Sequence, residues 1–322
     1  MLGAFVQSFH PDSPLDGLGI GDVPEPDVPA GWVLVNLKAC ALNHHDIWSL
    51  RGVGLKQEQL PMILGCDGAG VDENGNEVIV HAVIADPDAG DGDETLDPRR
   101  SLLSEKFPGT LAERIAVPAR NVIPKPSSMS FTEAACLPTA WLTAYRMLFT
   151  KGNVRPGDVV LIQGAGGGVA TALLLLAKAA GAHVWVTSRN EEKRAAALQL
   201  GAHLALALDE RPPGKVDVVM ETVGKATWSQ SIRALKPGGK IVVSGATTGD
   251  DPSADLTQVF FLQRQILGST MGTRGELMKL VSFMDATGLR PLIDAVFPLK
   301  DAKNGFEKME KGDIFGKIVF TI

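Results

Sequence analysis

The chain has 322 residues and a mass of 34.1 kDa, a length that suits two domains of about 150 residues each. Hydrophobic residues make up 45% and charged residues 21%, enough to build a core and to exclude a disordered chain. A net charge of −6 and a pI near 5.6 exclude a protein built mainly to grip nucleic acid or an anionic membrane.

Three cysteines are too few for a disulfide framework in a chain this long, which points to a reducing cytoplasm. Met1 to Pro11 shows no basic stretch followed by an apolar run, so no signal peptide is read there. The most apolar stretch, Val169 to Ala177, ends at Lys178 and falls short of the ~20 residues a membrane span requires.

From Met1 to about Pro124, short β-like runs (Trp32–Leu37, Val78–Val83, Ala112–Val117) are separated by Pro- and Gly-rich turns. This texture predicts a mostly β unit with irregular loops. Asp86 to Asp97 is acidic with few apolar residues and predicts an exposed loop, because like charges favour water.

The rhythm then changes. Strands are expected at 158–163, 183–187, 204–208, 216–221, 240–244 and 265–270, with helices to about 180 and over 191–200 and 226–235. Apolar strands alternating with helices predict a parallel sheet covered on both faces, the doubly wound nucleotide-binding α/β fold. The tail from Gly275 predicts one or two helices and a closing strand, Lys317–Thr321, that folds back onto the first region. The expected division is therefore 1–123, an inserted 124–271, and 272–322.

Between the first strand and first helix of the middle region stand Gly164, Ala165, Gly166, Gly167, Gly168 and Val169, followed by Ala170. Glycine permits a tight turn and close approach of N–H groups to a pyrophosphate, and the helix presents its positive end to that anion. No Gly-Lys-Ser/Thr follows, which disfavours a P-loop, so the turn predicts a dinucleotide. Where an acidic residue would bind a ribose 2′-hydroxyl, the chain has Thr187, Ser188, Arg189 and Asn190, with Lys193 a turn later. A hydroxyl and two cations suit a 2′-phosphate, so NADP(H) is expected.

Two further blocks gather Cys, His and Asp: Lys38–Trp48 (KACALNHHDIW) and Leu64–Gly70 (LGCDGAG). With Gly109-Thr110-Leu111-Ala112-Glu113, Leu142-Thr143-Ala144-Tyr145, the glycine turn, Lys236-Pro237-Gly238-Gly239 and Gly316-Lys317-Ile318-Val319, they make the chain resemble the medium-chain dehydrogenase/reductase superfamily. The resemblance covers nearly the whole chain and points to the zinc-independent, quinone oxidoreductase-like branch. It implies a Rossmann domain inserted in a mostly β, GroES-like catalytic domain.

Against the zinc-dependent members, Asn43, Cys66 and Thr139 stand where ligand Cys, His and Cys are expected, and residues 86–107 lack the four cysteines of a structural zinc lobe. A zinc site rearranged from Cys40, His44, His45, Cys66 or Asp67 is the rival reading; a non-catalytic NADPH-binding sensor or structural protein is another. With no metal expected, the acceptor must already be electrophilic: a quinone, or an alkene conjugated to a carbonyl.

The resemblance further implies site residues. Asn43 and Asp46 are expected beside the nicotinamide for orientation and proton handling, Trp48 to stack on a flat substrate, and Thr143 against the nicotinamide or its ribose. His44, His45 and Arg51 are secondary candidates for carbonyl polarisation. Glu221 is expected to be structural. Ser244, Gly245 and Ala246 are expected along the nicotinamide ribose, Ser269, Thr270 and Met271 at the carboxamide, and Lys317 at the cofactor phosphates. A small-molecule substrate and a homodimer complete the expectation.

Overall fold

In the Trp32–Ala41 strand, Val35, Leu37 and Ala39 turn inward while Asn36 and Lys38 face solvent, the two-residue period of a strand with one covered face. That strand is central to a seven-stranded sheet, ordered Val122–Pro124, Glu77–Val80, Asp67–Asp72, Trp32–Ala41, Lys317–Thr321 and Ile293–Pro298, with Arg114–Pro118 also paired to Trp32–Ala41. A computed structural model describes residues 1–322, and within it the chain divides into two units. The first comprises Met1–Ala140 and Met271–Ile322; the second is Trp141–Thr270.

The tail enters the first unit by antiparallel pairing, with Val319 opposite Ala41, Phe320 opposite Cys40 and Thr321 opposite Ala39. Phe306 and Phe320 stack at 6.3 Å in a core with Leu42, Ile47, Leu50 and Leu64. The first crossing lies at Ala140/Trp141, later than the expected 123/124. The intervening segment is held in the first unit: Val122–Pro124 pairs with Glu77–Val80, and Lys125 Nζ meets Glu77 at 2.9 Å.

The second unit is a six-stranded sheet, ordered Leu204–Leu206, His183–Thr187, Val159–Ile162, Val216–Glu221, Leu235–Val243 and Gln265–Gly268, parallel throughout. The chain order reverses beside Val159–Ile162, the switch point at which doubly wound sheets bind ligands. Helices Gly168–Ala179, Glu191–Leu200 and Lys225–Ala234 supply the crossovers. No helix is long and apolar enough to cross a membrane.

The acidic stretch departs from the expected exposed loop, because Glu94, Thr95 and Asp97 are buried. Glu94 accepts from the Arg120 guanidinium and, at 2.6 Å, from the Arg274 backbone N–H, while His81 Nδ1 lies 3.8 Å away. Asp97 accepts from the backbone N–H groups of Asp86 and Arg99 at 2.9 and 2.8 Å, which hold its carboxyl below the usual range. Paired acids tie the segment down, and only the remaining acids face water.

Candidate active site

The helix His44–Leu50 begins where the Trp32–Ala41 strand ends. Its first turn is fixed by Asp46, whose Oδ2 accepts from Asn43 N–H and whose Oδ1 accepts from Gly65 N–H, both at 2.9 Å. Asp46 is fully buried; burial raises its carboxyl, opposed by His45 and by these two bonds. Both carboxylate oxygens thus serve the backbone. Asp46 shapes the chain around the site rather than handling a proton at an exposed position.

Asn43 is similarly engaged. Its Oδ1 accepts from Lys317 Nζ at 2.7 Å, and its Nδ2 donates to Asp67 Oδ2 at 2.9 Å and to Ala41 O at 3.4 Å. Lys317 Nζ also donates to Leu42 O and Asp67 Oδ2, each at 2.8 Å. An ammonium has three N–H groups, and all three are spent here. Lys317 is 2% exposed and spends its donors on groups of its own unit, which speaks against its expected place at the cofactor phosphates. Sequence reading missed Asp67 as the hub of this cluster, although Asp67 and Lys317 stood in quoted motifs.

Trp48 faces outward on the same helix, 37% exposed. The Arg51 guanidinium lies 5.2 Å from its ring centroid. His45 Nε2 lies 3.9 Å from Glu105 Oε1. Cys40 and Cys66 are buried thiols that donate to Phe320 O and, at 3.1 Å, to Leu103 O. Burial pushes both thiols well above their ordinary value, with Asp46 and Asp67 adding to it.

In the second unit, the turn after Val159–Ile162 is opened by Gly164 at φ +86°, in the left-handed region that favours glycine. Gly167 caps the helix Gly168–Ala179, and a Cβ there would meet nothing within 4 Å. The first helical N–H to find its acceptor is that of Thr171, on Gly167 O at 3.0 Å, so the preceding N–H groups are the free donors of a helix start. Ala165, Gly166, Gly168 and Val169 lie along the same turn and helix start. Thr187 is buried and locks the turn from the next strand, accepting from Gly164 N–H and donating to Gln163 Oε1.

Beyond Thr187, Ser188 is half-buried and Arg189 exposed, and no carboxylate pairs with Arg189. Lys193 lies in the first turn of Glu191–Leu200, its backbone N–H capped by Asn190. Glu221 is buried at its strand end and accepts from Val223 N–H, Gly224 N–H, Thr227 and Ser231. Ser244, Gly245 and Ala246 follow the neighbouring strand, where Ser244 N–H donates to Glu221 O at 2.9 Å. Ser269 follows Gln265–Gly268, and its Oγ is buried without a partner. Thr270 is exposed. Thr143 is buried in the helix Leu142–Tyr145, which packs on Gly168–Ala179. Met271 belongs to the other unit, where it joins the core around Cys66 and Leu103 at φ +49°.

A parallel sheet with a glycine turn at its switch point, in a chain that also builds a mostly β unit, defines a two-part dinucleotide-dependent oxidoreductase. The alcohol dehydrogenase GroES-like domain family matches residues 29–127, and the zinc-binding dehydrogenase family matches residues 168–286. A zinc-type alcohol dehydrogenase-like protein of Schizosaccharomyces pombe is 31% identical over 91% of each chain. A crotonyl-CoA carboxylase/reductase of Cereibacter sphaeroides is 26% identical over 92% of this chain and 81% of its own. The solved structure of an NAD-dependent alcohol dehydrogenase superposes with a TM-score of 0.91 at 33% identity, covering all of both chains. The chain belongs to the medium-chain dehydrogenase/reductase superfamily and is an oxidoreductase of that nicotinamide-dependent class.

The zinc named in that family does not fit these residues. Asn43 is spent on Lys317 and Asp67, the Cys66 thiol is turned to Leu103 O at 3.1 Å, and Thr139 stands where the resemblance expects the third ligand. No group of three or more His, Cys, Asp or Glu side chains is placed to hold a metal. In the segment that would form a structural zinc lobe, the Glu94–Arg120 pair and the Arg274 N–H do the fastening. A dinucleotide does fit: the Gly167 cradle is open, and the Ser269 hydroxyl awaits a partner.

Proposed function

We propose that the protein is an NADPH-dependent reductase of quinones or activated alkenes that works without zinc. The observation that carries this reading is the donor set at Asn43, Cys66 and Thr139, which does not fit the zinc ion that would polarise an ordinary alcohol or carbonyl. The acceptor must therefore bring its own electrophilicity, as a quinone ring or the β-carbon of an enone does. When bound, the reduced nicotinamide supplies a hydride to that carbon, and a solvent proton completes the reduction.

The chain's own residues bind and orient. Gly164 to Val169 cradle the pyrophosphate through backbone N–H groups and the positive end of the following helix. Ser188, Arg189 and Lys193 receive the 2′-phosphate; the absence of an acidic residue directly after Thr187 supports NADP(H) over NAD(H). Ser244, Gly245, Ala246, Ser269, Thr270 and the backbone of Met271 line the ribose and carboxamide, with Thr143 on the ring side. Trp48 stacks on the flat acceptor. Asn43 and Asp46 act at one remove, holding the chain that carries Trp48.

The test is stopped-flow NADPH oxidation against quinones, enones and aldehydes, with and without a chelator. Turnover of quinones or enones that a chelator leaves untouched is expected. Alcohol oxidation abolished by chelation would sink the reading, and tight NADPH binding with no turnover of any acceptor would favour a sensor.

The reading includes a homodimer in the cytoplasm, the latter supported by three unpaired cysteines. The dimer is supported by the edge strand Gln265–Gly268, where Ile266 is exposed, as are Leu256, Phe260 and Phe261 of the preceding helix Leu256–Phe261. Sedimentation equilibrium is expected to give twice 34.1 kDa; a monomer at micromolar concentration would refute it.

A further inference from the structure

The helix His44–Leu50 carries, on its exposed side, an arrangement that orientation of a neutral substrate does not require. Arg51 caps the helix, its guanidinium 5.2 Å from the Trp48 ring centroid. Arg51 is half-buried, its Nε is buried without a hydrogen-bond partner, and no carboxylate pairs with it. The acid on this side of the unit, Glu105, is already engaged: Oε1 faces His45 Nε2 at 3.9 Å and Oε2 accepts from Leu102 N–H at 3.1 Å. A cation at a helix C-terminus gains from the dipole, which explains a charge there but not its packing over an exposed indole. A partly desolvated guanidinium keeps a planar fork of donors that matches an oxyanion, and the ring beneath it orients that fork.

We propose that Arg51 and Trp48 form a specificity site for acceptors that join a flat conjugated body to an anionic oxygen group. This rests on the reductase reading above for the reaction, while the anion site rests on Arg51 alone. The indole covers the conjugated body, and the guanidinium pairs with a carboxylate or sulfonate at its edge. Preference for the anionic acceptor is therefore screened by salt, because the site is open to water.

The test compares cinnamaldehyde with para-carboxycinnamaldehyde, whose carboxylate lies far from the reacting carbons. The wild-type protein is expected to show a KM roughly tenfold lower for the carboxylated acceptor, the size of one charge-assisted contact. Arg51→Gln brings the two KM values to near equality, Arg51→Lys restores part of the difference, and Trp48→Ala raises both together. An unchanged ratio in Arg51→Gln, or no wild-type preference, overturns the proposal. If neither aldehyde is reduced, the reductase reading fails for enals, and calorimetric titration of 2-naphthoate against 2-naphthamide, with and without NADP+, decides the anion site. Tighter naphthoate binding that Arg51→Gln abolishes sustains it; equal binding of the two overturns it.

Discussion

In the first unit Lys317 spends all three N–H groups and Asn43 both ends of its amide inside a buried cluster whose one unpartnered atom is Asp67 Oδ1, whereas in the second unit the Ser269 hydroxyl, the Arg189 guanidinium and the N–H groups after Gly167 meet no protein partner. What separates this structural cluster from the ligand site is whether the donors are already spent, not the presence of polar residues. A buried polar group without a partner is costly, so the Ser269 hydroxyl suits a ligand that meets it, while Arg189 and the N–H groups after Gly167 are left free to bind one.

The sharpest way to break this contrast is Lys317→Met. It leaves the fully buried Asp67 carboxylate without its cation, a change that costs about 3–5 kcal/mol when one member of a buried pair is removed. The urea midpoint of the first unit is expected to fall accordingly, while NADPH affinity of the protein that remains folded stays near wild type. If Lys317→Met weakened NADPH binding without loss of stability, the cluster would belong to the cofactor after all.

The second largest effect is expected in the open region. Arg189→Ala removes a charge-assisted contact worth about 1.5–3 kcal/mol, or roughly ten- to hundredfold in NADPH affinity. NADH affinity and the urea midpoint should barely change, because Arg189 is exposed and unpaired in the protein alone. Equal losses for both dinucleotides by calorimetry would assign Arg189 to the shared pyrophosphate and leave the NADP(H) preference without support.

The same contrast explains what the sequence made legible. The strands His183–Thr187 and Val216–Glu221 read cleanly because both faces are covered and the segments are apolar almost throughout. The glycine turn was equally visible, because its chemistry is local. The strand Ile293–Pro298 escaped notice: it lies at a sheet edge, half-exposed, and ends in proline. The Lys317 contacts were illegible for another reason. Its partners Asp67 and Asn43 lie 250 and 274 residues away in the chain, so only the antiparallel pairing of Lys317–Thr321 with Trp32–Ala41 brings them together. Asp97 and Glu94 misled in the same way, since an acidic run says nothing of the backbone N–H groups that two of its members will meet.

The smallest expected effect is the absence of one. Cys40, Cys66 and Cys136 are all buried, and each donates its thiol proton to a backbone carbonyl. Burial pushes Cys136 up to about 12, against the nearby Lys317 cation, and raises the other two as well. The reactive species is the thiolate, so native protein at pH 8 should release no colour from a disulfide reagent, while guanidinium-unfolded protein releases three equivalents. Any residual native rate should climb about tenfold per pH unit from 8 to 11, where an exposed thiol would level off near 9. Cys66 decides the most, because it stands where a metal-dependent relative places a ligand. Fast labelling of Cys66 alone, located by mass spectrometry, would mean an accessible, ionisable thiol at the reaction centre. The donor-set argument against zinc would then lose its strongest member, and with it the reason to demand an already electrophilic acceptor.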